Sequence, residues 1–274
     1  MSTTPSPSQD RAVESPRTLL INSAVAAVLG TGLMVLVHEF VHTFTGLALG
    51  FPGVQYAFGV DHLGSPAPVQ MGIMAISAPV FSLVSGAIMA AWTPLRRRGG
   101  FGHLLWLWFA FTSLMEGVGY LVITPFGAGD TAMAVESFGW PIWVAFVMCG
   151  LGVALQFGTA WAFAPHVGRH AGTETARRYA FTLWPWIVAS VVNVALSLLY
   201  LSLAASDPGE GAAFAIVAAA TATTVFAPMS FIFARRFAQP LEPLGLKPVP
   251  WVGVAAFAVL VSLNLAMSPG LRIG

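Results

Sequence analysis

Residues 38 to 42 read His-Glu-Phe-Val-His, an H-E-x-x-H pattern. On a helix, residues four apart share a face, so His38 and His42 can reach one metal ion. Glu39 is turned by about 100 degrees from His38 but stays beside that ion, where its carboxylate can take a proton from water. Zinc suits two imidazoles and one oxygen ligand, with a fourth position left open for water or substrate. In such a site it polarises a carbonyl and makes water acidic near neutral pH. With six His and seven Glu in 274 residues, the pattern would arise by chance in roughly 0.3% of shuffled chains.

A third ligand must come from elsewhere in the chain. Asp130 is the first candidate, in Thr124-Pro125-Phe126-Gly127-Ala128-Gly129-Asp130, where Pro and Gly break a helix and can bend the backbone toward the histidines. Glu116 is the rival, inside an apolar stretch where an unpaired carboxylate is costly. It could ligate the ion or bond a ligating histidine. Asp61, His62 and Glu136 come after these two.

The elements that must hold these groups are membrane helices. The chain is 57% apolar and only 8% charged, whereas a soluble domain carries about 25% charged residues. Apolar runs at 18–49, 71–92, 103–123, 140–163, 179–205, 212–233 and 251–267 predict an all-α polytopic membrane protein with seven transmembrane helices. Residues 1–17 read as a disordered tail rich in Pro and Ser, residues 18–135 as a catalytic core of three spans, and residues 136–274 as four accessory spans. Within 51–70, the run Val54–Val60 has strand-forming residues between Gly and Pro, which predicts a short strand or hairpin at the membrane surface. Its edge could pair with an extended peptide, which makes Val54, Gln55 and Tyr56 candidate substrate contacts, with Tyr120 a fourth.

Charge orients the spans. Arg11, Arg17, Arg96, Arg97, Arg98, Arg169, Arg177, Arg178, Arg235, Arg236 and Lys247 fall on one side, eleven of the twelve cations, and only Arg272 falls on the other. The positive-inside rule then makes the N-terminus cytoplasmic and the C-terminus external. His38 lies about 20 residues, hence about 30 Å, along an outward-running helix, so the metal belongs in the outer half of the bilayer. A net charge of +1 argues against a nucleic-acid binder, and the single Cys149 excludes a disulfide framework and a cysteine-rich metal site. The membrane-embedded ionisable groups cluster toward one side and no inverted repeat is visible, which disfavours a transport pathway. His166 and His170 repeat the four-residue spacing without a Glu, and read as a solvated or lipid-headgroup-facing pair in a cytoplasmic loop rather than a second metal site.

H-E-x-x-H in a first membrane helix, with Pro125 and Asp130 in a Pro-x4-Asp spacing after a third, resembles the site-2 protease family of intramembrane zinc metalloproteases. Ala78-Pro79-Val80-Phe81-Ser82 looks like a weakened form of that family's Gly-Pro-x-x-Asn motif. Val122 stands where the family has Asn, and Gly precedes Asp130 rather than following it. The resemblance covers residues 18 to about 135. It implies zinc held by His38, His42 and Asp130, Glu39 as the base, and a transmembrane protein as substrate within the lipid bilayer. Site-2 proteases usually place zinc nearer the cytosol, which the charge pattern here reverses. Two other readings use the same residues: a non-proteolytic metal-binding transporter or inactive scaffold, and a multi-span protease of the prenyl-protein type with Glu116 as ligand.

Overall fold

The computed structural model describes residues 13–204, 226–237 and 239–274. Helix α1 (Pro16–Ala48) starts where the Ser15 hydroxyl accepts from the Thr18 amide at 3.1 Å and Pro16 presets the first turn. Its 33 residues extend about 50 Å, longer than the hydrocarbon core of a bilayer. A hairpin follows, β1 (Gly53–Gln55) and β2 (Val60–His62), and then α2 (Pro68–Ala91) and α3 (Gly100–Ile123). After a 3-10 turn at Thr124–Phe126 come the short α4 (Gly129–Ser137) and the long α5 (Ile142–Ala171). Next are α6 (Thr175–Arg178), a π-helical turn at Tyr179–Leu183 and α7 (Trp184–Ser202). The described part of the chain ends with α8 (Phe226–Phe233), α9 (Trp251–Met267) and β3 (Leu271–Ile273).

Five helical segments are long and apolar enough to cross a membrane: Pro16–Ala48, Pro68–Ala91, Gly100–Phe126, Ile142–Ala171 and Thr175–Ser202. The chain is therefore read as a helical membrane protein. α9 is apolar but only 17 residues long. The run predicted at 212–233 lies mostly outside the described residues.

The first three spans pack closely because glycines remove side chains where helices cross. A Cβ on Gly30 would stand 3.0 Å from the Phe109 amide nitrogen. On Gly117 it would stand 2.8 Å from the Pro79 carbonyl oxygen and 3.1 Å from the Leu83 nitrogen. Backbone cannot yield as a flexible side chain does, so Gly117→Val forces α3 off α2. Overpacking of this kind costs about 1–3 kcal/mol. The variant should unfold at lower temperature than wild type in the same detergent, and an unchanged midpoint would mean that α2 and α3 do not approach this closely.

Trp108, Phe111, Phe163 and Phe181 form the centre of the core between α1, α3, α5 and the π-helical turn. Its polar groups are paired, with the Trp108 indole donating to the Ser23 hydroxyl and that hydroxyl to the Phe181 carbonyl, both at 2.8 Å. The end of the bundle nearest the start of α1 carries ion pairs. Arg96 meets Glu242 at 2.9 Å, and Glu14 pairs with Arg177 while accepting from the Gly245 and Leu246 amides.

Two expectations need correction here. His166 and His170 do not lie in a solvated loop, because α5 continues to Ala171. His170 is buried, donates from Nδ1 to the Glu242 carbonyl at 2.9 Å and packs edge-on against His103. The strand-like run at 54–60 folds as a hairpin, one of the two forms expected, but β3 returns from the far end of the chain to pair with β1. The sheet order is β2-β1-β3, so β1 is central and has no free edge for an added peptide. The free edges belong to β2 and β3.

Candidate metal centre

α1 carries His38 and His42 one turn apart, with ring centroids 4.8 Å apart. The chain beyond α3 brings the third group to them. After the 3-10 turn, Gly127 (φ +69°) and Gly129 (φ +76°) take the left-handed backbone that side chains resist. A Cβ on Gly129 would also stand 2.6 Å from the Tyr120 ring. The reversal lets α4 run back beside α2 and α3, with Asp130 in its first turn. Thr131 holds this position, bonding the Tyr120 carbonyl at 2.8 Å and the Thr124 hydroxyl at 2.7 Å.

Asp130 Oδ2 then lies 2.9 Å from His38 Nε2 and 3.1 Å from His42 Nε2, and the two Nε2 atoms are 3.1 Å apart. Ligand atoms about 2.1 Å from a tetrahedral ion stand about 3.4 Å from one another, so the triangle is within about half an ångström of a zinc set. Among the described residues, this is the one group of three His, Cys, Asp or Glu whose ligand atoms lie within 4.8 Å of one another.

The far nitrogens of the two rings show why a cation fits. His42 Nδ1 is 2.8 Å from the Met74 carbonyl oxygen, which can only accept, so this nitrogen carries the proton. His38 Nδ1 is 2.6 Å from Glu116 Oε1 and is protonated for the same reason. With its proton on Nδ1, each ring when neutral offers a bare lone pair at Nε2, and in both rings that nitrogen faces the same Asp130 carboxylate oxygen. Three acceptors without a donor repel one another in a buried site. A divalent cation at their centre removes the conflict, and outer partners that fix the tautomer are the usual support for ligating histidines.

Tyr120 stacks on His38 with centroids 5.3 Å apart and planes 5° from parallel, which fixes the ring in place. Glu39 is largely buried beside His42, and its carboxylate makes no hydrogen bond among the described residues. It faces a cavity of about 950 Å³ whose lining includes His42, Asp130, Glu116 and Tyr120.

The remaining candidates divide. Asp61, His62 and Glu136 line the cavity but stand outside the ligand triangle. Burial holds His62 below the ordinary imidazole value. Tyr56 also lines the cavity. The Gln55 side chain is fully buried and already used, accepting from the Thr43 hydroxyl and donating to the Tyr56 carbonyl at 2.6 Å. Val54 sits in the central strand. The carbonyl of Met74 is a partner that sequence reading could not name, because every residue carries one. Comparison of the chain with protein-family models, with curated proteins and with solved structures finds no match.

Proposed function

We propose that the protein is an intramembrane zinc endopeptidase, a divergent relative of the site-2 proteases, which hydrolyses a peptide bond in or near a transmembrane segment. The observation that carries this reading is the triangle of His38 Nε2, His42 Nε2 and Asp130 Oδ2, with both histidine tautomers set from behind and Glu39 free in the adjoining cavity. His38, His42 and Asp130 hold the ion. Bound zinc would supply a polarised carbonyl and acidified water. Glu39 takes the proton from the attacking water and returns it to the leaving amine. Glu116 and the Met74 carbonyl orient the two rings, and Tyr120 keeps His38 from rotating. The cavity admits water to a site that apolar helices otherwise enclose.

Seven spans with the N-terminus in the cytoplasm and the metal in the outer half complete the proposal. Its support is the separation of charge between the two ends of the bundle. Arg96, Arg169 and Arg177 lie at the end that holds Glu14 and Glu242, whereas Arg272 sits on β3 beside β1 at the other.

Metal removal tests the function. Protein reconstituted in lipid should contain one zinc per chain and cleave an added apolar helical peptide. Chelation should abolish cleavage, and stoichiometric zinc should restore it. Full cleavage by metal-free protein would end the proposal.

A further inference from the structure

The cavity beside Glu39 extends beyond the metal ligands to α7, where Trp186, Ser190, Asn193 and Ser197 line it. Steps of four, three and four residues place these side chains on one face of the helix. The remainder of α7 is almost wholly apolar, so a polar stripe there calls for partners. The Trp186 indole nitrogen is buried and has no partner among the described residues. Ser85, Ser262 and Ser268 bond the carbonyl four residues back in their own helices. Ser190 and Ser197 make no such bond among the described residues. Asn193 donates from Nδ2 to the Val28 carbonyl at 3.3 Å and the Ala189 carbonyl at 3.0 Å, which orients the amide and leaves Oδ1 to accept.

We infer that this stripe binds the main chain of an unwound peptide across the cavity from Glu39. The inference rests on the peptidase reading and deepens it. A transmembrane helix hides its carbonyls in its own hydrogen bonds, and each residue it unwinds exposes one donor and one acceptor. From Trp186 to Ser197 the stripe extends about 16 Å, the length of about five residues of extended chain. Side chains of that peptide meet Met34, Met71, Met74, Met115 and Met133, which line the same cavity. Methionine adapts to apolar groups of many shapes. Once an apolar segment has unwound, the stripe therefore holds it with little demand for particular side chains.

Two experiments on the zinc-loaded protein in lipid test this. The probe is a Leu/Ala peptide of about 20 residues with Lys at both ends, made with or without an Asn-Pro pair at its centre. Wild type should cleave the interrupted peptide and spare the continuous one. Ser190→Ala combined with Ser197→Ala should keep its zinc and lose roughly tenfold in kcat/KM, mostly through KM, while Ser→Thr at both sites retains activity. In the second experiment Cys149→Ala removes the native thiol, and a single-cysteine version of the interrupted peptide is offered to Ser190→Cys or Val191→Cys. With diamide as the oxidant, a disulfide should form at position 190 and not at 191, which faces away. Equal cross-linking at both positions, or unchanged kcat/KM in the double Ala variant, would overturn the stripe while Glu39-dependent cleavage left the peptidase standing. Cross-linking confined to position 190 in a protein that cleaves neither peptide would overturn the peptidase and keep the stripe.

Discussion

Glu39→Gln should bind zinc as wild type does and lose about a hundred- to ten-thousandfold in peptide hydrolysis, the range that a positioned general base contributes. Gln has nearly the same shape, so the cavity and the neighbouring His38 and His42 remain as they are. What disappears is an anionic oxygen able to accept a proton. The Glu39 carboxylate is not tied up, having no hydrogen bond among the described residues and lining the cavity with His42 and Asp130. A group held by structural partners would be a poor base because a proton transfer would cost those bonds. Metal content measured beside the rate separates the two roles, since a ligand would take the zinc with it when replaced. Wild-type rates in a zinc-loaded Glu39→Gln protein would remove Glu39 from the chemistry.

The part of this site legible in the sequence was the part encoded locally. His38, Glu39 and His42 occupy one helical turn, and their spacing alone sets their geometry. Asp130 was readable because the break in Pro125, Gly127 and Gly129 announces a reversal, and Gly129 is where Tyr120 leaves no room for a Cβ. Glu116 was visible as a costly intramembrane carboxylate, but its choice between ligand and support depends on which imidazole nitrogen it faces. That is a matter of tertiary packing between α1 and α3.

The back half of the chain was harder to read. α7 looks like an ordinary apolar span with a few small polar residues, and such residues more often join helices than bind ligands. Only its packing along α1 turns Ser190 and Ser197 toward the cavity of Glu39. β3 pairs with β1 across more than two hundred residues of sequence, and three residues of strand carry too little pattern to announce a partner. The buried His170 was misread because Pro165 and Gly168 signal a loop, yet α5 passes through both. A Cβ at Gly168 would collide with the Phe237 carbonyl oxygen, so that glycine serves a close approach rather than a turn.

Asp130→Ala and Glu116→Gln should separate by how strongly each weakens metal binding. Removing Asp130 leaves two imidazoles to hold the ion. Sharing about 10–16 kcal/mol of zinc binding among three or four ligands gives about 3–4 kcal/mol each, so affinity should fall about a hundred- to thousandfold. Glu116 meets the ring of His38 at Nδ1, on the side away from the ion, and Gln can still accept from that nitrogen through its carbonyl. The expected loss is at the lower end of the ten- to hundredfold typical of outer partners. Cobalt substitution supplies a readout that does not pass through activity. The visible spectrum of the cobalt protein should change in Asp130→Ala, where an oxygen ligand is exchanged for solvent, and stay close to wild type in Glu116→Gln. The reverse outcome, with cobalt undisturbed in Asp130→Ala and lost in Glu116→Gln, would make Glu116 the ligand. His38 would then have to rotate to offer the same nitrogen to both, which the stacked Tyr120 ring at 5.3 Å opposes.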